Sequence, residues 1–170
     1  MKILLAYYSR TGNTKKVADF LAKELDAEVE EIKDEDGREG IGGYLRSGKE
    51  ALKKAFANIA PMRKDPARYD LVVLGTPVWV GVMSSAVRAY IRKNKNNFKK
   101  VAFFTTQGSA KEQRVFEEMK KFCGKDPACK LIVSSGEVGR NNFFAKARDF
   151  ANCLKKGLEK WEIKKLNKLK

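Results

Sequence analysis

Short apolar, β-prone segments alternate with longer segments whose apolar residues recur at helical spacing. The first pair sets the pattern. Lys2–Tyr8 predicts a strand buried on both faces, and Thr14–Leu25 predicts an amphipathic helix. Strands that alternate with helices are joined by right-handed crossovers and form a parallel sheet. We therefore expect an α/β protein of three layers, with helices covering both faces of one sheet.

The remaining segments continue this alternation along the chain. Ala27–Lys33 predicts an exposed edge strand, and Asp70–Gly75 predicts the most clearly buried strand. The last helix is expected over about Asn142–Trp161, and a basic tail over about 162–170 either continues it or frays. The other predicted elements are helices at Ile41–Ile59, Ser84–Lys93 and Glu112–Cys123, and strands at Val101–Thr106 and Lys130–Ser135. Five strands in 170 residues indicate one domain, 1–170.

Composition excludes several classes of function. The chain has 36 Lys and Arg against 21 Asp and Glu, and it contains no histidine. Catalytic triads with histidine, histidine general bases and histidine-ligated zinc sites are therefore excluded. The longest uncharged run, Leu71–Val87, is shorter than the roughly 20 apolar residues of a membrane-spanning helix, and glycine and proline interrupt it. We expect no transmembrane segment.

The three cysteines are Cys123, Cys129 and Cys153. They form no CxxC pair and are too few for a disulfide-rich scaffold. Ordinary thiols are the favoured interpretation, and a local disulfide between Cys123 and Cys129 is the alternative. Because disulfides are rare in reducing compartments, this pattern predicts a cytoplasmic protein.

The segment between the first strand and the first helix is rich in hydrogen-bond donors. It reads Ser9-Arg10-Thr11-Gly12-Asn13-Thr14. In a parallel sheet, ligands bind beyond the carboxyl ends of the strands, and the free N–H groups of a helix N-terminus favour an anion. The segment suits a single phosphate group, although it matches neither GxxxxGK[ST] nor GxGxxG. A plain helix cap is the alternative.

Two later loops follow the third and fourth predicted strands. The first of them, Thr76-Pro77-Val78-Trp79-Val80-Gly81, places a tryptophan at the rim of the sheet. Its ring either stacks on an aromatic ligand or folds back onto the core. The second, Thr105-Thr106-Gln107-Gly108-Ser109, has small polar residues whose backbone groups can approach the polar edge of a ring. A plain turn is the alternative, and it is favoured for this loop taken alone.

Together the three loops resemble those of the flavodoxin family. The first loop matches the family's phosphate-loop pattern, Ser/Thr-x-Thr-Gly-x-Thr, at every defined position. The resemblance implies a flavodoxin-like α/β/α fold, whose five-stranded parallel sheet has the order 2-1-3-4-5, and non-covalently bound FMN. The phosphate would be held by Ser9, Thr11, Asn13 and Thr14, in one loop with Arg10 and Gly12. Trp79 would stack on the isoalloxazine, in one loop with Thr76, Pro77, Val78 and Gly81. The edge of the ring would face Thr106, Gln107 and Gly108.

The function implied by the resemblance is electron transfer, with the flavin cycling between oxidised, semiquinone and hydroquinone forms. The flavin would supply the redox chemistry, so no catalytic side chain and no metal site are predicted. One alternative is an FMN-dependent NAD(P)H or quinone oxidoreductase of the same fold. A second alternative is a flavin-free binding module.

Three features depart from the family pattern. The third loop has no tyrosine where many flavodoxins place a second stacking residue, and Arg10 puts a charge in the phosphate loop. The protein is also basic, whereas electron-carrier flavodoxins are typically acidic: residues 91–170 carry 21 basic and 8 acidic groups. We therefore expect an acidic redox partner and a less negative semiquinone/hydroquinone potential than that of an acidic flavodoxin. No specific nucleic-acid binding is predicted, and a weak association of the lysine-rich tail with anionic surfaces is left open.

Overall fold

The computed structural model describes residues 1–35, 56–109 and 114–167, and a parallel sheet lies at its centre. Its parallel strands are β1 (Ile3–Tyr7), β2 (Glu28–Glu31), β3 (Leu71–Trp79), β5 (Val101–Gln107) and β6 (Pro127–Ser134). A two-residue strand, β4 (Val82–Met83), pairs antiparallel to β3. The strand order is β2-β1-β3-β5-β6. Counted over the parallel strands alone, this is the predicted order 2-1-3-4-5, which is confirmed.

Helices cover both faces of this sheet. They are α1 (Asn13–Leu25), α2 (Ser85–Asn94), α3 (Val115–Cys123), α4 (Ser135–Gly139) and α5 (Phe144–Asn167). Successive strand residues point to opposite faces, so neighbouring Phe103 and Phe104 belong to different apolar clusters. The Phe103 cluster lies against α2 and α3, and the Phe104 cluster lies against α1 and α5. Among the described helices, none is long and apolar enough to cross a membrane.

The sequence placed most of these elements within a few residues, and the differences have physical causes. β3 continues to Trp79, four residues beyond its predicted end. Thr76 and Pro77 pair with β5, and Val78 and Trp79 pair with β4. The predicted loop at 76–81 is thus strand and hairpin. Most of the predicted Ile41–Ile59 helix lies outside the described residues, and Ile59 forms an isolated bridge with Asp34 instead. The last helix continues to Asn167. The helix α4 was not predicted, because five residues are too few to show the hydrophobic periodicity of a helix.

The preference for three free thiols was wrong, and so was the alternative pairing. Cys129 of β6 forms a disulfide with Cys153 of α5, 24 residues further along the chain. Cys123 is free and buried, and burial raises the pKa of its thiol to about 12. The disulfide joins a strand to a helix, and the spacing of the cysteines in the sequence does not predict that these two elements pack together. A thiol with so high a pKa is protonated at neutral pH and therefore unreactive.

Candidate functional site

A cavity of about 250 Å³ lies at the carboxyl ends of β1, β3 and β5. This is the edge at which ligands bind in open α/β sheets. All three loops singled out in the sequence contribute to it. The described residues that line it are Arg10, Thr11, Asn13, Thr14, Pro77, Val78, Trp79, Thr106, Gln107, Gly108 and Ser135.

The N-terminus of α1 opens into this cavity without a side-chain cap. Gly12 is the N-cap residue, with a φ of 87°, and no side chain bonds to the free N–H groups of the first turn. The first turn also contains no acidic residue. Those N–H groups are therefore available to an anion, whose charge the helix dipole also favours. Thr14 links this loop to the third one, because its Oγ1 lies 2.7 Å from Oγ1 of Thr106.

Ser9 and Gly12 do not line the cavity, but both have a property that suits a ligand at the phosphate loop. The hydroxyl of Ser9 is buried and has no hydrogen-bond partner among the described residues. A buried hydroxyl without a partner costs about 1–3 kcal/mol, and a phosphate oxygen would remove that cost. At Gly12, an added Cβ would meet no atom within 4 Å, so the space beside its backbone is open. The plain helix cap is thereby disfavoured, since a cap would satisfy its own donors.

Trp79 stands at the end of β3, on the outgoing arm of a hairpin. Its ring lies edge-on to Tyr8, with 6.0 Å between ring centroids, and the guanidinium carbon of Arg10 lies 5.3 Å from its centroid. Thr76 does not line the cavity. Its Oγ1 accepts a hydrogen bond from the backbone N–H of Ser84 at 3.0 Å, which ties the base of the hairpin together.

The turn of this hairpin is strained at Val80. Trp79 pairs with Val82, which leaves Val80 and Gly81 as a two-residue loop, with φ values of 51° and 78°. Gly81 therefore shapes the hairpin without lining the cavity. Turns with two positive φ angles favour Asn-Gly, and a β-branched residue in that region is a steric outlier.

Replacing Val80 with asparagine is expected to raise the free energy of unfolding by about 1 kcal/mol, because the left-handed conformation costs an ordinary residue about 1–2 kcal/mol. Little burial is lost, since Val80 is 64% exposed. Urea denaturation of both proteins measures the change. Val80→Ala is the control, and it should gain less because alanine keeps most of the left-handed penalty. A less stable Val80→Asn protein would contradict the strain.

The third loop faces the cavity with its side-chain groups already engaged. Gln107 is buried, and its side-chain amide donates to the carbonyl of Ser109 at 2.6 Å. The hydroxyl of Ser135 donates to the carbonyl of Gln107 at 3.2 Å. Ser135 also lines the cavity and was missed by the sequence reasoning. The rule that ligands bind beyond strand ends would have found it, had it been applied to the fifth strand as well.

The short helix α4 that carries Ser135 is fixed by a capping box. The Ser134 hydroxyl accepts from the Glu137 N–H, and Glu137 Oε2 accepts from the Ser134 N–H at 2.7 Å. Lys146 lies 2.5 Å from the other Glu137 oxygen. The Lys146 hydrogen bond, together with those from Ser134, lowers the pKa of Glu137 to about 2. Glu137 therefore stays ionised at physiological pH, and α4 keeps its cap.

The cavity is electropositive and has one aromatic wall. Arg10 is the charged side chain among its described lining residues, which include no carboxylate. Trp79 is the aromatic one. The third loop cannot add a second aromatic wall, because residues 105–114 contain no Phe, Tyr or Trp. An aromatic ligand stacked on Trp79 would keep its other face uncovered by this loop.

A larger cavity of about 700 Å³ lies beside edge strand β2. Its described lining mixes both signs of charge, with Lys15, Asp19 and Glu31 among it. None of the three loops lines this larger cavity, so the smaller cavity is the better candidate. Within the described ranges, no cluster of three or more His, Cys, Asp or Glu side chains could hold a metal ion.

Comparison with known proteins agrees with this geometry. A model of the family described as Flavodoxin matches residues 2–135, which is most of the chain. The chain belongs to the flavodoxin family. FMN is the cofactor of flavodoxins, and the matched range includes all three loops of the site. A search of curated proteins gave no match.

Solved structures with this fold come from several bacteria. A flavoprotein from Lactobacillus acidophilus NCFM in complex with FMN is 27% identical, with a TM-score of 0.69, over 82% of this chain and 97% of that one. A flavoprotein from Bacteroides uniformis is 21% identical, with a TM-score of 0.72, over 85% and 97%. Oxidised Flavodoxin 2 from Bacillus cereus is 23% identical, with a TM-score of 0.54, over 94% and 99%. The last two similarities show the fold alone.

The residues present fit FMN. The partnerless Ser9 hydroxyl and the uncapped N-terminus of α1 are donors suited to a phosphate dianion. Trp79 offers a flat face to a ring system, and the loop at Thr106–Gly108 borders the same cavity. The site thus has separate places for an anion and for an aromatic ring, as a flavin phosphate requires.

Proposed function

We propose that this protein binds FMN and transfers electrons as a flavodoxin-like carrier. The observation that carries the proposal is the phosphate loop, where a buried hydroxyl lacks a partner and a helix N-terminus lacks a cap. Both features cost free energy without an anion and are relieved by one. Membership of the flavodoxin family supports the cofactor.

The residues of the site would bind and orient the cofactor. Ser9, Thr11 and the first turn of α1 would hold the phosphate, and Trp79 would support the ring. Bound FMN supplies the redox chemistry. The described lining contains no carboxylate, cysteine or lysine, which are common proton donors and acceptors in enzymes. This favours a carrier, in which the protein needs no acid or base of its own.

We also propose that the redox partner presents an acidic surface. The half of the chain from residue 91 onward carries 21 basic and 8 acidic groups, and the cavity itself has a positive lining. Such a field speeds association with an acidic partner, and added salt slows it. The acidic strand β2 is an edge strand, and none of its residues lines the cavity.

An FMN-dependent NAD(P)H or quinone oxidoreductase is the second candidate. The observation that favours it is the third loop, which has no aromatic residue to cover the outer face of the flavin. An uncovered face leaves room for a nicotinamide or quinone ring. The same face would equally expose the flavin to a protein partner.

Anaerobic mixing of the FMN-loaded protein with NADH or NADPH separates the two functions. A carrier is expected to keep its yellow colour for many minutes, because it has no site for the nucleotide. It should then be bleached by dithionite, which needs no binding site. Rapid bleaching by either nucleotide would make the oxidoreductase the correct function.

Replacing Arg10 with glutamine is expected to make the second one-electron potential of the flavin more negative by about 20–70 mV. A unit charge about 10 Å away is worth about 0.4–1.7 kcal/mol as the effective dielectric constant falls from 80 to 20. Spectroelectrochemical titration measures this potential. Lys93→Gln is the control. Lys93 lies in the last turn of α2, and because α2 starts after the carboxyl end of β3, this turn lies toward the amino ends of the strands, opposite the cavity. Equal shifts in both variants would show that Arg10 has no local effect.

We further propose a cytoplasmic location, on the ground that three cysteines fit no disulfide-rich class of secreted protein. A cytoplasmic chain would form the Cys129–Cys153 bond only after purification into an oxidising buffer, because disulfides are rare in that compartment. Acid quenching and alkylation of thiols in producing cells is therefore expected to show three thiols per chain, and the purified protein one. A single alkylated thiol in the cells would contradict the cytoplasmic location.

A further inference from the structure

A buried ion pair lies beneath the hairpin that carries Trp79, and the site described above does not use it. Arg88 of α2 and Glu118 of α3 approach to 2.6 Å between Nη2 and Oε1. Their side chains are 2% and 16% exposed. Removing two charges from water is expensive, so a buried pair is weak evidence for stability. Its geometry suggests a more specific role.

The second carboxylate oxygen of Glu118 is bonded to the hairpin itself. Oε2 accepts a hydrogen bond from the backbone N–H of Met83 at 3.1 Å. Met83 belongs to β4, whose two residues pair with Val78 and Trp79. So short a strand has little stability of its own, and an isolated hairpin is marginal even when longer. Glu118 thus anchors the returning arm of the hairpin from outside the ladder.

One carboxylate therefore connects three elements, α3, α2 and β4. It lies on α3, which begins at Val115, shortly after the loop that ends at Ser109. It bonds to α2 through Arg88 and to β4 through Met83. The hairpin that carries Trp79 is thereby tied to α2 and α3.

We propose that Glu118 is a positioning residue for Trp79. By fixing β4, it sets the distance between the Trp79 ring and the third loop, and so sets the affinity of the site for the isoalloxazine ring. The proposal rests on the FMN site proposed above. Arg88 orients the carboxylate, which leaves the other oxygen aimed at Met83.

The test compares two double variants that differ in one acceptor. Arg88→Met with Glu118→Gln keeps an oxygen for the Met83 N–H, and Arg88→Met with Glu118→Leu removes it. Neither leaves one charge of the Arg88–Glu118 pair without the other, and replacing a buried ion pair with apolar groups is often neutral for stability. Both are therefore expected to fold, which circular dichroism and thermal unfolding verify.

FMN affinity is measured for both variants by quenching of flavin fluorescence. The leucine variant should bind FMN about tenfold more weakly than the glutamine variant, as is typical for coupled positions. In a Trp79→Ala background the two variants should differ by less than about twofold, because the positioned group is absent. An equal difference in both backgrounds would overturn the proposal, since the effect would then not act through Trp79.

A second readout works without cofactor. The chain has 2 tryptophans, so Trp161→Phe leaves Trp79 as the fluorescent one. In the apoprotein, acrylamide should quench Trp79 more strongly in the leucine variant than in the glutamine variant. Identical quenching would overturn the positioning role whether or not FMN binds. Failure of the unaltered protein to take up FMN would instead refute the proposed function.

Discussion

Replacing Ser9 with alanine is expected to stabilise the apoprotein and at the same time weaken FMN binding. The hydroxyl of Ser9 is buried without a partner in the described structure, so its removal should raise the free energy of unfolding by about 1 kcal/mol. In the complex the same hydroxyl would donate to a charged phosphate oxygen. Such bonds contribute about 1.5–3 kcal/mol, so the affinity should fall by about 10- to 100-fold.

The variant is expected to raise the stability of the apoprotein and lower its FMN affinity, and a general loss of structure would not produce this combination. Urea denaturation of the apoprotein gives the stability, and fluorescence titration gives the affinity. Asp65→Ala is the control, because the Asp65 carboxylate caps the short 3-10 helix Pro66–Arg68 by accepting from the Ala67 N–H at 3.0 Å, and this helix precedes β3 at the strand end opposite the cavity. That variant should lose about 1 kcal/mol of stability and keep its FMN affinity. If Ser9→Ala instead lowers stability and leaves the affinity unchanged, the phosphate does not lie at Ser9.

Reducing the Cys129–Cys153 disulfide is expected to lower the free energy of unfolding by about 3 kcal/mol. The bond closes a loop between residues 24 apart in sequence, and loops of this size contribute about that much by limiting the unfolded chain. Guanidinium denaturation with and without dithiothreitol measures the change. FMN affinity should stay the same, because Cys129 lies near the start of β6 and the cavity lies beyond its end.

The thiol count provides an independent check of this bond. Under denaturing, non-reducing conditions, one thiol should react, which is that of Cys123. The Cys129→Ser, Cys153→Ser double variant is the control, and dithiothreitol should not change its stability. Three reactive thiols, or no effect of the reductant on the unaltered protein, would show that the bond does not form.

Local sequence was enough to predict the parts of the fold that depend on local chemistry. The apolar run to Tyr7, the donor-rich loop and the amphipathic α1 follow one another, so their order predicted the phosphate loop directly. The strand order could be predicted through the resemblance that this loop carries. Gly12 was predicted as part of the phosphate loop from its residue type and its place in the motif. Its φ is positive, a conformation that glycine adopts without steric cost.

What the sequence did not reveal depends on contacts between distant segments. The extension of β3 to Pro77 follows from pairing with β5, and the pairing of Cys129 with Cys153 follows from the packing of α5 on β6. Glu118 looked like one of several charges on an ordinary helix surface. Its bond to Met83 exists because tertiary packing brings α3 against β4.

Titration of the apoprotein with FMN and with riboflavin tests the central claim most directly. The two ligands share the isoalloxazine ring and differ in the phosphate, so their comparison isolates the Ser9–Thr14 loop. We expect tight binding of FMN, quenching of its fluorescence, and riboflavin affinity lower by at least about 100-fold. Equal affinity for the two would contradict the phosphate site, and no binding of either would contradict the assignment of this protein as an FMN-dependent electron carrier.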